Sequence, residues 1–256
     1  MMLCSSITER EALQLGKNWI CSFKYDGTRA IWDKGKLINR KGTDISFKYP
    51  EVIANMPSND VTLDGEIVIL KNGKSNFDLL SFREHTSDSR KIRVYSKMLP
   101  ATFMAFDIIR VQEKDLKKME LQSRKIILWD FKDKQNNFFK IVPYSANLKK
   151  FCEVAMDRNE EGIIFKELNS IYEDRRSNKW LKLKFLKEKE ITFSSYERND
   201  DDSITLVEAD EGIRVRCSDL RAVAEIERGN KVIGLVEYLS EYENKKLRFP
   251  ILRELL

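Results

Sequence analysis

One histidine, His85, occurs in 256 residues, and the four cysteines, Cys4, Cys21, Cys152 and Cys217, stand far apart with no Cys-x-x-Cys pair. Imidazole and thiolate metal sites need such residues in clusters, so they are disfavoured, and any metal would have to be held by carboxylates. No apolar run approaches the ~20 residues of a membrane-spanning helix. The opening MMLCSSITEREALQ breaks into charge before a signal-peptide core could form. A soluble, cytoplasmic protein with no membrane partner is expected. Internal repeats and low-complexity tracts are absent too.

What is present is 42% hydrophobic content, enough for the core of one large domain or two unequal ones. The net charge of +5 hides an asymmetry: residues 187–256 carry 12 Lys and Arg against 16 Asp and Glu, net −4, which leaves 34 against 25, net +9, for residues 1–186. The basic excess of the first part suits a polyanionic partner, although a solvated charged face would give the same count.

The residue pattern reads as α+β. WICSFK, the Asp26-Gly27 turn, RAIWD and LINR read as strands joined by turns, so FKYDGTRAIW taken alone is a hairpin with a charged rim. YPEVIANM reads as a short helix, VTLDGEIVIL as a strand ending at Asn72-Gly73, FDLLSFREH as a helix with Phe77, Leu80 and Arg83 on one stripe, and TFMAFDIIRV as a strand. Helical spacing in DLKKMELQSRKIILWDF and ANLKKFCEVAMDRN flanks the strand FFKIVPY, and EGIIFKEL follows. Beyond KWLKLKFLKEKE the texture changes to four or five short strands with one helix, SDLRAVAEIERG, which suits a small Greek-key barrel of the OB kind. The expected domains are 1–186 and 187–256.

KYDGTR resembles the Lys-x-Asp-Gly-x-Arg signature of the covalent nucleotidyltransferases: DNA ligases, RNA ligases and RNA-capping enzymes. LINRKG, LDGEIVIL, FMAFDIIR, EGIIFKEL and KWLKLK follow in that superfamily's order. FDLLSFREH, the KWLKLK order and the late LRFP make the chain similar to ATP-dependent DNA ligases in particular. The resemblance implies an adenylation domain of antiparallel sheets with helices, followed by an OB-fold barrel. It implies ATP and Mg²⁺ or Mn²⁺ as cofactors, and a monomer acting on nicked duplex DNA, as replication and repair require. RNA ligase or RNA-capping guanylyltransferase activity on the same scaffold is the alternative, with a non-catalytic nucleic-acid-binding protein behind it.

By the same resemblance Lys24 takes AMP as a phosphoramidate. A lysine that attacks phosphorus must first lose its proton, at a cost on the order of 4.6 kcal/mol from a pKa near 10.4 to pH 7. Lys182 and Lys184, two apart on one strand, are expected to face Lys24 and the α-phosphate; alone they would read as a wet strand face. Arg29, Arg40 and Arg176 are assigned to ribose or phosphate, Glu66 to the ribose hydroxyl, Phe106 to adenine stacking and Glu161 to the divalent metal. Arg175 is read as a solvated neighbour of Arg176, and His85 as a structural hydrogen-bonder. The chain departs from the family at Ser22, where a glutamate usually reads the adenine amino group. It departs again after RFP, where an Arg-x-Asp-Lys stretch is usual; Arg248 matches and Arg253 is expected to stand in for the missing cation. No additional N-terminal DNA-binding domain is read, so the two domains are expected to grip the duplex themselves across a hinge near Lys184 to Lys189, with a steep salt dependence.

Overall fold

The alternation in RAIWD, LDGEIV and TFMAFDIIRV produces three adjacent antiparallel strands, Thr28–Asp33, Val61–Val68 and Thr102–Val111. The structure, a computed structural model, describes residues 1–242 and 244–256. Its chain divides into two units, Met1–Leu183 and Lys184–Leu256. Among the described residues no helix is long and apolar enough to cross a membrane.

In the first unit those three strands form the centre of a six-stranded sheet, with Phe139–Ile141 on one side and Lys36–Asn39 on the other; Lys114–Asp115 pairs with the end of Thr102–Val111. Side chains alternate across it. Ala30, Trp32, Leu63, Ile67, Phe103 and Ala105 enter one large core, together with Val52 and Leu80 from the helices Pro50–Ile53 and Phe77–Glu84. Arg29, Asp64, Glu66, Met104 and Phe106 alternate with those residues and so point to the opposite face. A second sheet has four strands in the order Leu3–Ser6, Arg176–Lys184, Gly162–Glu167, Trp19–Phe23, and the helix Leu148–Asp157 packs on its last strand.

Capping fixes the helix ends. Asn76 and Asp88 accept backbone N–H groups at the starts of Phe77–Glu84 and Ser89–Met98, leaving fewer unpaired donors in each first turn. Arg83, with no exposure, is met by Glu51 at 2.7 Å and the Leu99 carbonyl at 2.8 Å. Two elements differ from the sequence pattern. The helix expected from Asp115 starts only at Leu121, because Lys114–Asp115 pairs as strand and the chain turns at Leu116–Met119. Ser89–Met98 is helical although it buries only Ile92, too thin a stripe to announce itself. His85 is exposed and closes its helix through its backbone.

The second unit is a five-stranded antiparallel sheet in the order Arg214–Cys217, Ile204–Glu208, Lys187–Arg198, Val232–Tyr238, Ile251–Leu255. Its two outermost strands approach one another, so the sheet curls into an OB-like half-barrel around Phe193, Leu206, Val215 and Val236. The helix Leu220–Glu227, capped by Asp219, adds Ala222 and Val223 to that core. This α+β architecture with a small OB-like sheet is what the sequence leads one to expect.

Candidate active site

Lys24 lies where the chain leaves one sheet for the other. Trp19–Phe23 belongs to the four-stranded sheet and Thr28–Asp33 to the six-stranded one, so residues 24–27 form a crossover and not the tip of a hairpin. The Lys24 N–H donates to the Gly162 carbonyl at 2.9 Å, and the Asp26 N–H donates to Ser75 Oγ at 2.9 Å. Gly27 is required by a close approach: a Cβ there would sit 2.2 Å from the Ile67 carbonyl oxygen. An Asp-Gly pair signals a turn locally but carries no record of which sheet each flank joins, and this overturns the hairpin reading.

Between the sheets is a cavity of about 120 Å³, well above the ~10–15 Å³ that holding a single water requires. Its lining includes Ser22, Lys24, Glu66, Phe106, Lys166 and Trp180. Phe106 and Trp180 meet edge to face at 6.0 Å, giving a flat-sided aromatic wall. Ser22 pairs with Ile164 across neighbouring strands, which puts a hydroxyl and an aliphatic side chain into the same lining.

The charges of the site are held in pairs. Lys24 Nζ donates to Glu161 Oε1 at 2.5 Å, with 20% and 9% of the two side chains exposed. Arg29 grips Asp64 with two bonds, 3.0 and 2.6 Å, and the Tyr172 hydroxyl donates to the same carboxylate at 2.6 Å. Arg29 therefore reaches the cavity as a guanidinium already oriented, 5.3 Å from the Phe106 ring centre. Burial pushes the Glu66 carboxyl up to about 8, against the pull of the Lys24 and Arg29 cations and with the push of Asp64 and Glu161.

The remaining residues singled out in the sequence are spread more widely. Lys182 follows Trp180 by two on one strand and so takes the same face. Lys184 ends that strand as the first residue of the second unit, its ammonium 5.2 Å from the Phe249 ring centre. Arg40 is exposed in the turn after Lys36–Asn39 and does not line the cavity. Arg176, also exposed, donates to the carbonyl of Cys4, itself a lining residue, whereas Arg175 pairs with Glu173. In the second unit Arg248 is buried near Tyr242 and Phe249, and Arg253 pairs with Glu237.

Two groups escaped the sequence reading. Lys166, only 4% exposed, rests its ammonium 3.6 Å from the Trp180 ring centre and 4.1 Å from that of Phe106. Burial, reinforced by Lys125, holds its pKa well below the ordinary lysine value. It stands two residues beyond Ile164, so strand alternation alone could have placed it in the lining. Asp64 stands two before Glu66, and the same rule applies.

Residues 1–184 match the family model of the ATP dependent DNA ligase domain. The chain is 28% identical over 190 residues to the SPbeta prophage-derived DNA ligase-like protein LigB of Bacillus subtilis, covering 72% of this chain and 67% of that protein. It is 29% identical over 203 residues to DNA ligase 2 of Korarchaeum cryptofilum, covering 72% of this chain but 34% of that protein. The chain thus spans about two thirds of the first relative and about a third of the second. Among solved structures it superimposes on a Lig E DNA ligase with a TM-score of 0.74 at 18% identity, over 100% of this chain and 99% of that one. The ligase domain of Mycobacterium tuberculosis LigD gives a TM-score of 0.63 at 20% identity, over 100% and 94%. At such identities these two likenesses speak for the fold.

Proposed function

We propose a nick-sealing reaction for this chain, which belongs to the ATP-dependent DNA ligase family. It joins 5′-phosphate to 3′-hydroxyl ends in duplex DNA, as a cytoplasmic monomer, through AMP carried on Lys24. The observation that carries the assignment is the Lys24 ammonium, held on Glu161 in the wall of an aromatic-lined cavity.

In this reading ATP enters the cavity with its base against Phe106 and its ribose at Glu66, which as a carboxylic acid can donate a hydrogen bond as well as accept one. Deprotonated Lys24 Nζ attacks the α-phosphorus, the bond to the bridging oxygen breaks, and pyrophosphate leaves. The proton that Nζ gives up starts within hydrogen-bond distance of Glu161, which accepts from it. AMP then passes to the 5′-phosphate, and the 3′-hydroxyl displaces it. Arg29, preset by Asp64 and Tyr172, and Lys182 supply fixed positive charge for the phosphate oxygens. Arg40, Arg176, Lys184, Arg248 and Arg253 serve later contacts to nucleotide phosphates or DNA.

The donor set is compatible with Mg²⁺, which commonly takes one or two carboxylates and keeps its remaining positions for water and phosphate. Glu161 is the side chain to hold it, and among the described residues no cluster of three ligating side chains would hold a metal without the nucleotide. When bound, the ion spreads the negative charge of the triphosphate.

The test is a two-stage incubation: α-labelled ATP with Mg²⁺, then nicked DNA or nicked RNA. The proposal expects label on the wild-type protein that is absent from Lys24→Ala, chased by nicked DNA into a sealed strand. Label that survives in Lys24→Ala would overturn the nucleophile, and label chased only by nicked RNA would overturn the substrate.

A further inference from the structure

A groove on the first unit shares no lining residue with the nucleotide cavity. It encloses about 780 Å³ and lies among the helices that cover the large-core face of the six-stranded sheet. Its floor is apolar, made by Phe47, Pro50, Ile92, Pro100 and Phe138, with Phe47 55% exposed. Along one rim runs the helix Ser89–Met98, which holds Arg90, Lys91, Arg93 and Lys97 and no acidic residue. All four are exposed, and no ion pair among the described residues takes up their charge. Arg93 and Lys97, four apart and hence on one helix face, both line the groove. The one carboxylate of the lining, Glu51, is already held by the buried Arg83 at 2.7 and 3.2 Å and by the Ala101 N–H at 3.0 Å. The groove therefore offers an apolar floor under a positive rim, where Arg93 and Lys97 make no ion pair among the described residues while Lys91 feels the N-cap carboxylate of Asp88.

We infer that this groove docks an acidic peptide segment of a partner protein, one that carries a bulky apolar residue beside its carboxylates. The apolar side chain covers Phe47 and the two prolines, and the carboxylates meet Arg93 in a bidentate pair and Lys97 as a point charge. Two features favour a peptide over a nucleic acid strand. Of the two aromatic residues in the floor, Phe47 and Phe138, only Phe47 is exposed, so the groove offers one open flat face where a strand of stacked bases needs a series. The cations of the lining, Arg93 and Lys97, both come from one helix, a row of two that is too short to follow a nucleic-acid backbone.

The full chain is titrated by fluorescence anisotropy with a labelled oligo-aspartate peptide ending in Leu-Phe. A second peptide ends in Ser-Ser, and an unlabelled single-stranded oligonucleotide is the competitor. The inference expects saturable binding to the Leu-Phe peptide, weakened roughly tenfold or more by Arg93→Glu with Lys97→Glu, by Phe47→Ser, and by the Ser-Ser ending. Nick sealing stays at the wild-type rate in these variants. Because charge reversal could disturb the helix, Arg93→Gln with Lys97→Gln is measured beside it and should give a smaller loss in the same direction. Equal binding by both peptides, or binding indifferent to the rim and floor variants, overturns the inference. So does an oligonucleotide that binds with the same dependence on Arg93 and Lys97 and displaces the peptide, which would make the groove a nucleic-acid track.

Discussion

The two units treat charge in opposite ways. In Met1–Leu183, Arg83 and Arg124 have no exposed side chain, Arg124 forks onto an equally buried Asp107, and Arg29 is locked on a buried Asp64. Among the described residues of Lys184–Leu256 every ion pair has at least one partner more than a third exposed, as in Arg214 with Glu197 at 62% and 46% and Arg228 with Glu225 at 69% and 42%, although Arg248 is buried there. Net charge, +9 against −4 across the sequence division near residue 187, does not express this difference. A buried pair is stiff and strongly felt when broken, whereas an exposed pair is screened and loosely held. The reactive lysine sits in the unit that fixes its charges.

The largest effect expected on that contrast is chemical. Lys24→Ala should abolish covalent AMP and reduce sealing by on the order of 10⁴-fold or more, as removal of a nucleophile does. Arg253→Ala, which loses only a half-exposed pair with Glu237, should retain covalent labelling and lose part of its rate. If the two variants were equally dead in a labelling assay, the two units would not differ in the way described.

Next comes stability. Arg124 donates to both Asp107 oxygens, at 2.9 and 2.8 Å, and to the Ser170 carbonyl at 3.2 Å. Arg124→Ala strands the Asp107 carboxylate and should cost about 3–5 kcal/mol in a urea titration. Arg124→Met with Asp107→Leu removes both charges and should recover much of that loss; no recovery would mean that packing, and not charge pairing, is what Arg124 supplies.

These particulars also mark how far the sequence could be read. Strand alternation puts Arg29, Glu66 and Phe106 on one face, and the order of motifs brings Lys24 to them. Both are local or sequential properties, so a single chain displays them. What escaped was decided by distant partners. The crossover at residues 24–27 depends on the strand Gly162–Glu167, whose pairings with Trp19–Phe23 span 140 to 148 residues and claim that strand for the other sheet. Lys166 was not singled out because nothing local says that Trp180 will lie beneath it. The late start of the helix at Leu121 is the exception, a local event in which Lys114–Asp115 folds back as strand onto Arg110 and Val111.

A smaller effect tests whether the charge-fixing unit also carries a carboxyl raised into the neutral range. Glu66 has an ordinary value of 4.5 and is pushed to about 8 by burial. The folded state therefore keeps a proton that the unfolded chain releases between those values. The contribution to stability is complete below about pH 4.5 and is lost as pH rises through 8. Glu66→Gln cannot ionise, so its stability relative to wild type should increase from pH 5 to pH 9, by roughly 2 kcal/mol after allowing for water near the cavity. Parallel stability curves for the two proteins would remove Glu66 from this role.

The smallest effect belongs to the second unit, and its smallness is the point. Arg214 reaches across the strand Ile204–Glu208 to Glu197 at 2.8 Å, with both side chains about half or more in solvent. Holding two long side chains in one geometry costs rotamer entropy that the screened attraction barely offsets, so Arg214→Ala should change stability by about 0.5 kcal/mol or less. Half-molar salt should erase even that difference, because the Debye length then falls to about 4 Å. A loss above roughly 2 kcal/mol that persists in salt would show that this pair is as firmly held as Arg124 on Asp107, and the contrast between the units would no longer stand.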